Sequence, residues 1–229
     1  MLRKHHKNLP FFEFEIFRPH GDILGHAVFS RHLDVTNGQL VQEIMGSKNP
    51  PVSFQKQLHG TDLFVVDGPE FNQKGDAMIT KMGQIPLVIR TADCASVILF
   101  EPQKRVIANI HAGWRGISQK IIHKTIGQLA DEFKVKSENL LVAISPMIGP
   151  CCCRFSDPQK ELPKFMRRYI TEENTVNLWG AVEGHLRECG IPERNIENPR
   201  VCTCCNPEDF HSYRRDGTAG RFGTIVMLR

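Results

Sequence analysis

Ser96-Val97-Ile98-Leu99-Phe100 and Val106-Ile107-Ala108-Asn109-Ile110, joined through Glu101-Pro102-Gln103-Lys104, decide the fold class of this chain. Each run is short, apolar and rich in branched residues, and each is bounded by charges or turn formers. That is the pattern of a buried strand. The connection is short enough to make the two an antiparallel pair. Ile85-Pro86-Leu87-Val88-Ile89 adds a third candidate strand upstream. After His111 the period changes: Ile117, Ile121, Ile122, Thr125, Ile126, Leu129, Ala130 and Phe133 recur at steps of three and four. This spacing predicts one helix with a single apolar face, and Gly113 and Gly116 fall in the tight loop before it. Leu140 to Ile144 reads as a strand, Gln159 to Tyr169 and Leu178 to Glu188 as helices, and Gly223 to Leu228 as a closing strand. Strands and helices mixed with a tight hairpin give an α+β chain, an α/β sandwich with mixed sheets flanked by helices. The part before Asn49-Pro50-Pro51 is poorly patterned. There is no repeat and no long linker, so residues 1–229 are expected to form one domain.

Composition narrows the partners. The 229 residues are 41% hydrophobic and 24% charged, with a net charge of +4. That is enough apolar material for a core, and too little positive charge for nucleic acid or an anionic membrane to be the main partner. The basic segment Met1 to Lys7 lacks an apolar stretch behind it, and no apolar run approaches a membrane span. A soluble, cytoplasmic protein is expected. The eight cysteines include Cys151-Cys152-Cys153 and Cys202-x-Cys204-Cys205. Neighbours this close do not make a disulfide framework, which leaves reduced thiols or metal ligands. A four-thiolate structural zinc and a set of buried or redox-prone thiols are both open readings.

Three segments concentrate reactive groups beside glycine or at strand ends: Gln57-Leu58-His59-Gly60, Thr91-Ala92-Asp93-Cys94, and His111-Ala112-Gly113-Trp114-Arg115-Gly116. Loops at strand ends converge while the sheet fixes their positions. Two imidazoles and a thiolate, His59, Cys94 and His111, suit zinc, and three protein ligands leave its fourth position open to activate water. Asp93 could hold a ligand imidazole or act as a base. Arg115 could bind phosphate through its guanidinium fork, and Trp114 offers a flat face to a base or sugar. The plainer reading makes His59 a turn residue, Cys94 a small buried hydrophobe and His111 a hydrogen-bonded strand end. Ser212-Tyr213-Arg214-Arg215-Asp216-Gly217 is either an anion site or a brace for the metal loop. The remaining histidines show no mutual metal spacing beyond His5-His6 at a terminus expected to be mobile, and most read as surface or capping residues.

Taken in order, Gln57-x-His59-Gly60, Gly75-Asp76-Ala77-Met78-Ile79-Thr80, Thr91-Ala92-Asp93-Cys94, His111 to Gly116, Ile148-Gly149-Pro150-Cys151-Cys152, Cys202-Thr203-x-Cys205 and Ser212 to Gly217 with Gly220-Arg221 resemble the YfiH family. Its members are also called laccase-domain proteins, multicopper polyphenol oxidases or purine nucleoside phosphorylases. The resemblance implies a fold similar to the catalytic domain of cytotoxic necrotizing factor and a zinc on His59, Cys94 and His111. It also implies phosphorolysis of adenosine, inosine, guanosine and methylthioadenosine, with adenosine deamination beside it. Asp93 and Arg115 are then the expected catalytic groups, and Gln57, Trp114 and Arg215 the expected substrate contacts. The chain departs from the family pattern at Ser96, at Cys153-Arg154 and at His211, which bears on pocket closure and substrate range. Two other functions compete: a thiol hydrolase or deamidase with Cys94 as nucleophile and His111 as base, and a non-catalytic metal-binding protein. Copper oxidase chemistry is the weaker choice, because one His-Cys-His trio lacks the histidines of a multicopper cluster.

Overall fold

The computed structural model describes residues 1–217 and 220–229; the two positions between lie inside the Gly217-x-x-Gly220 portion of the last family block. In chain order the strands are β1 (Leu2–His6), β2 (Leu9–Glu13), β3 (Leu24–Phe29), β4 (Val52–Ser53), β5 (Leu63–Val65), β6 (Ala77–Thr80), β7 (Leu87–Thr91), β8 (Ala95–Glu101), β9 (Val106–Ala112), β10 (Leu141–Ile144), β11 (Ile196–Glu197) and β12 (Phe222–Leu228). They form two six-stranded sheets, ordered β1-β2-β3-β12-β7-β4 and β11-β10-β8-β9-β6-β5. The pairs β4–β7, β5–β6 and β10–β11 are parallel and the rest antiparallel, so both sheets are mixed as expected.

Strand alternation explains the layers. In β8, Val97 and Leu99 pack in one cluster with helical residues such as Ile122, Leu129 and Leu186, while Ile98 and Phe100 pack in another with Leu87, Ile89 and Val226 of the first sheet. In β12, Val226 and Leu228 face that shared interior, and Ile225 and Met227 face Val41 and Met45 of α1 (Gly38–Met45). The order through the molecule is therefore α1, first sheet, second sheet, then α3 (Ile121–Phe133) with α5 (Leu178–Glu188), α2 and α4 being the short helices Trp114–Ser118 and Pro158–Glu161. Both faces of the central strands are covered, which is why β8 reads as a continuous apolar run. Burying one such side chain contributes about 1.5–3 kcal/mol.

Asn109 is a polar side chain buried between the sheets. Asn109 in β9 donates from Nδ2 to the carbonyls of Leu87 and Thr224, each at 3.0 Å, and accepts from Ser96 Oγ at 2.6 Å. With these partners satisfied it avoids the about 1–3 kcal/mol that an orphaned buried group costs, and it ties β7 and β12 to β9 next to the ends that carry the site.

The hairpin forms as read: β8 and β9 pair antiparallel with Ser96 opposite His111. The helix expected over 117–133 is two helices. Lys120 adopts a left-handed conformation (φ 64°, ψ 39°) and breaks the ladder between α2 and α3 while keeping the apolar face in register. The helix expected over 159–169 is also divided, into α4 and a 3-10 turn at Lys164–Tyr169, because Pro163 has no N–H to give an α-helix. The poorly patterned N-terminal part holds three strands. The His5-His6 terminus is not loose: it lies in β1, paired with β2 across Lys7 and Asn8, whose positive φ values of 48° and 69° suit a two-residue hairpin turn. Not every spare histidine is at the surface, since His185 is fully buried.

Candidate metal centre

β7 and β9 end where β8 begins. Cys94 stands just before β8, and His111 occupies the penultimate position of β9. The 57–60 loop brings His59 to the same place, and the three side chains offer ligand atoms that all lie within 4.8 Å of one another. The His59 and His111 rings meet edge to face with centroids 4.7 Å apart. A tetrahedral zinc with these donors needs ligand edges of about 3.3–3.6 Å, so a small closure suffices.

Asp76, at the start of β6, organises this centre. Its fully buried carboxylate accepts from the backbone N–H groups of His59 at 2.9 Å and Gly60 at 2.8 Å, and from His111 Nδ1 at 2.7 Å. A carboxylate only accepts, so His111 keeps a proton on Nδ1, and Nε2 is the atom left to meet an ion once its own proton is released. Sequence reasoning gave Asp76 no role; the signal was an acid inside the Gly75-to-Thr80 block, directly before a buried strand. The role of imidazole holder given to Asp93 is corrected here. Asp93 accepts from Thr203 Oγ1 and from the Arg214 backbone N–H, both at 2.7 Å, and its φ of 88° turns the chain so that Cys94 faces the imidazoles. His59 has a similarly rare φ of 60°. Non-glycine residues hold such angles only where their surroundings impose them.

The electrostatics make Cys94 and His111 a thiolate–imidazolium pair, from which a bound ion would displace the Nε2 proton. Burial opposes ionisation of Cys94, but hydrogen bonding and charge from His111 and His59 outweigh it and bring the thiol down to about 6. Burial alone would lower His111, yet Asp76 and Cys94 hold it up at about 9. Gly113 is required by the close approach: a Cβ there would lie 2.9 Å from Cys94 Sγ and 3.0 Å from His59 Cδ2.

A cavity of about 720 Å³ opens over the three ligands. Gln57, Asp93, Trp114 and Arg115 all line it, as expected, together with Lys56, Arg90, Tyr213, Arg214 and Arg221. The cations Lys56, Arg90, Arg115, Arg214 and Arg221 outnumber the acids Asp93 and Glu161 in an otherwise largely apolar wall, which suits an anion carried on an apolar body. Arg115 stacks over Trp114, 4.3 Å from the ring centroid, and Phe155 meets the indole edge-on. Gln57 spends its amide on the backbone of Arg90, donating to the carbonyl at 2.8 Å and accepting from the N–H at 3.0 Å, so it clamps the His59 loop to β7.

The expectation that Arg215 contacts substrate is corrected too. Its guanidinium donates to the carbonyls of Thr203, Cys204 and Phe210 at 2.9–3.1 Å, and to Asp216. Ser212 caps the short helix α6 (Tyr213–Asp216), and the helical turn points Arg215 into these carbonyls while Tyr213 and Arg214 face the cavity. Arg215 thus braces the 203–210 segment, while Tyr213 and Arg214 of the same block line the cavity. All eight cysteines are free thiols, and among the described residues no helix is long and apolar enough to cross a membrane.

Known proteins share this architecture. A family model described as multi-copper polyphenol oxidoreductase laccase matches residues 27–229. A purine nucleoside phosphorylase of Clostridium acetobutylicum is 31% identical over 78% of this chain and 77% of its own length. One from Aquifex aeolicus is 36% identical over 68% of this chain and 71% of its own. The crystal structure of a Bacillus licheniformis hypothetical protein YfiH superposes with a TM-score of 0.79 at 22% identity, covering 90% of this chain and 93% of that one.

Proposed function

The chain belongs to the multi-copper polyphenol oxidoreductase laccase family, and from that premise we propose that it is a zinc-dependent purine nucleoside phosphorylase with adenosine deaminase activity. The observation that carries the proposal is a cavity that places Arg115, Arg214 and Arg90 beside Trp114 over His59, Cys94 and His111. Relatives named purine nucleoside phosphorylase support it. The substrates would be adenosine, inosine, guanosine or methylthioadenosine with phosphate, giving free base and ribose 1-phosphate.

His59, Cys94 and His111 would hold the zinc, which when bound supplies a Lewis-acidic open position. A soft thiolate with two imidazoles fits zinc, and the trio is too small for a multicopper cluster. Trp114 stacks on the flat purine, and Arg115, already held against that ring, binds the phosphate dianion through its fork. Arg214 and Arg90 add positive potential along the same wall. Asp76 keeps the Nδ1 proton of His111 fixed. Both oxygens of Asp93 accept hydrogen bonds, so Asp93 acts here by positioning Cys94 and the Arg214 turn.

Incubating the protein with adenosine, with and without phosphate, and resolving the products tests the proposal. Adenine with ribose 1-phosphate, and inosine or hypoxanthine from deamination, are expected; their absence from zinc-loaded protein overturns it. The lowered thiol of Cys94 also favours a second reading, a Cys94–His111 thiol hydrolase or deamidase. That reading requires activity to survive chelation, whereas the zinc reading requires chelation to abolish turnover and zinc to restore it.

A further inference from the structure

Cys151, Cys152, Cys202 and Cys205 gather in a second cluster, on two turns that both bond to Asp93. Their sulfurs all lie within 4.8 Å of one another, and Cys205 Sγ is 3.5 Å from both Cys151 Sγ and Cys152 Sγ. We propose that these four thiols form a second metal centre, a closed tetrathiolate site for zinc, distinct from the His59–Cys94–His111 trio.

The geometry is that of a coordination shell. Zinc–sulfur bonds of about 2.3 Å place the corners of a tetrahedron about 3.8 Å apart, close to the 3.5 Å between Cys205 Sγ and each of Cys151 Sγ and Cys152 Sγ. The Cys202-x-x-Cys205 spacing supplies two ligands from one turn. Two adjacent cysteines supply the others because the chain turns sharply: the N–H groups of Cys152 and Cys153 both donate to the Gly149 carbonyl at 3.0 Å. That turn sends Cys151 and Cys152 toward Cys205 and leaves Cys153 buried against the cavity. The Gly149 N–H donates to Cys202 Sγ at 3.2 Å, a bond that favours a thiolate there. Gly149 itself is needed, since a Cβ would lie 2.6 Å from Trp179 and 3.2 Å from Cys151 Sγ. Cys151 and Cys205 are exposed, giving an ion an entry path, while Cys202 is buried.

The two turns are held in register before any ion binds. Met147 and Cys202 bridge in parallel, with the Thr203 N–H donating to the Met147 carbonyl at 3.2 Å. Both turns also hang on Asp93: Thr203 Oγ1 donates to its carboxylate at 2.7 Å, and the Ile148 N–H to its carbonyl at 2.9 Å. A zinc across the four sulfurs would staple 149–152 to 202–205 and fix one wall of the cavity. With four protein ligands it leaves no open position, so its role is structural.

The test is metal content and cobalt(II) spectroscopy on the full chain, purified under reducing conditions. Wild-type protein should hold about two zinc ions per chain, and the Cys94→Ser or His59→Ala variant about one. Cobalt(II) added to metal-depleted Cys94→Ser protein should give strong thiolate-to-cobalt charge-transfer and tetrahedral ligand-field bands. Adding Cys205→Ser or Cys151→Ser, both at exposed positions, should abolish that tetrathiolate spectrum with circular dichroism unchanged, whereas Cys189→Ser should leave it intact. A single ion lost wholly with Cys94, a cobalt spectrum insensitive to Cys151 and Cys205, or a Cys205 disulfide in freshly reduced and reloaded protein would each overturn the proposal. Nucleoside turnover plays no part in these readouts, so they stand or fall apart from the proposed activity.

Discussion

Asp76 Oδ1 accepts the Nδ1 proton of His111 at 2.7 Å while the same carboxylate accepts the backbone N–H groups of His59 and Gly60. One buried acid thus orients one ligand through its ring and another through its backbone. Asp76→Asn keeps the shape but removes the charge. Zinc affinity should fall about 10- to 100-fold, read by competition with a chromophoric chelator. An unchanged affinity would remove Asp76 from the centre.

Gly113 has φ −74°, an ordinary angle for any residue, so a substitution there acts through space alone. Gly113→Ala puts a methyl into contact with Cys94 Sγ and His59 Cδ2. Overpacking of this kind costs about 1–3 kcal/mol. The expected result is a folded protein with reduced zinc occupancy and at least a roughly tenfold loss of turnover. Wild-type metal content and rate would show that the ligands have more room than these distances allow.

Arg115 and Trp114 are assigned to different substrates and should separate in steady-state kinetics. Arg115→Ala should raise the KM for phosphate about tenfold or more, the loss of one charge-assisted contact. Trp114→Ala should raise the KM for the nucleoside instead. Equal effects of both changes on both substrates would mean that the stacked pair acts as one wall.

His26 sets an acid limit on stability. Burial holds its folded pKa down to about 4, against an ordinary value of 6.5, and its Nε2 accepts the Phe14 N–H at 2.8 Å. The unfolded chain takes up a proton below about pH 6.5, whereas the folded chain resists until about pH 4. Stability is therefore complete above the unfolded value and declines as pH falls across this window, by up to about 3 kcal/mol. His185, fully buried and likewise lowered to about 4, acts in the same direction. Denaturant unfolding at a series of pH values checks the slope, and His26→Gln should flatten it.

The central fold was legible because periodicity survives burial. The β8–β9 runs, the closing strand and the helix at Leu178–Glu188 lie where their patterns put them. What escaped the pattern was backbone conformation at single residues: Lys120 dividing one apolar face into two helices, and Lys7-Asn8 turning a basic strand and a short apolar one into a hairpin. At the site, residue type and strand-end position make His59, Cys94 and His111 a candidate trio beside a plainer structural reading, and the YfiH resemblance is what singles them out. Asp76 is not, because its partners, the His111 ring and the backbone N–H groups of the 57–60 loop, come from segments distant in the sequence. Arg215 and Arg214 are neighbours with opposite fates, decided by the helical turn that follows Ser212.

The β8–β9 hairpin also sets an order in time. Cys94 and His111 flank one short-range pairing, so they come together as soon as the hairpin closes, at little loop-closure cost. His59 joins from a loop anchored to β6 through Asp76 and clamped to β7 by Gln57. The centre is thus most easily opened from the His59 side, and ion exchange is expected to follow excursions of residues 57–60 with the hairpin intact. Amide hydrogen exchange should find His59 and Gly60 faster than the strands by orders of magnitude, and zinc off-rates should rise with Gln57→Ala while hairpin protection stays unchanged.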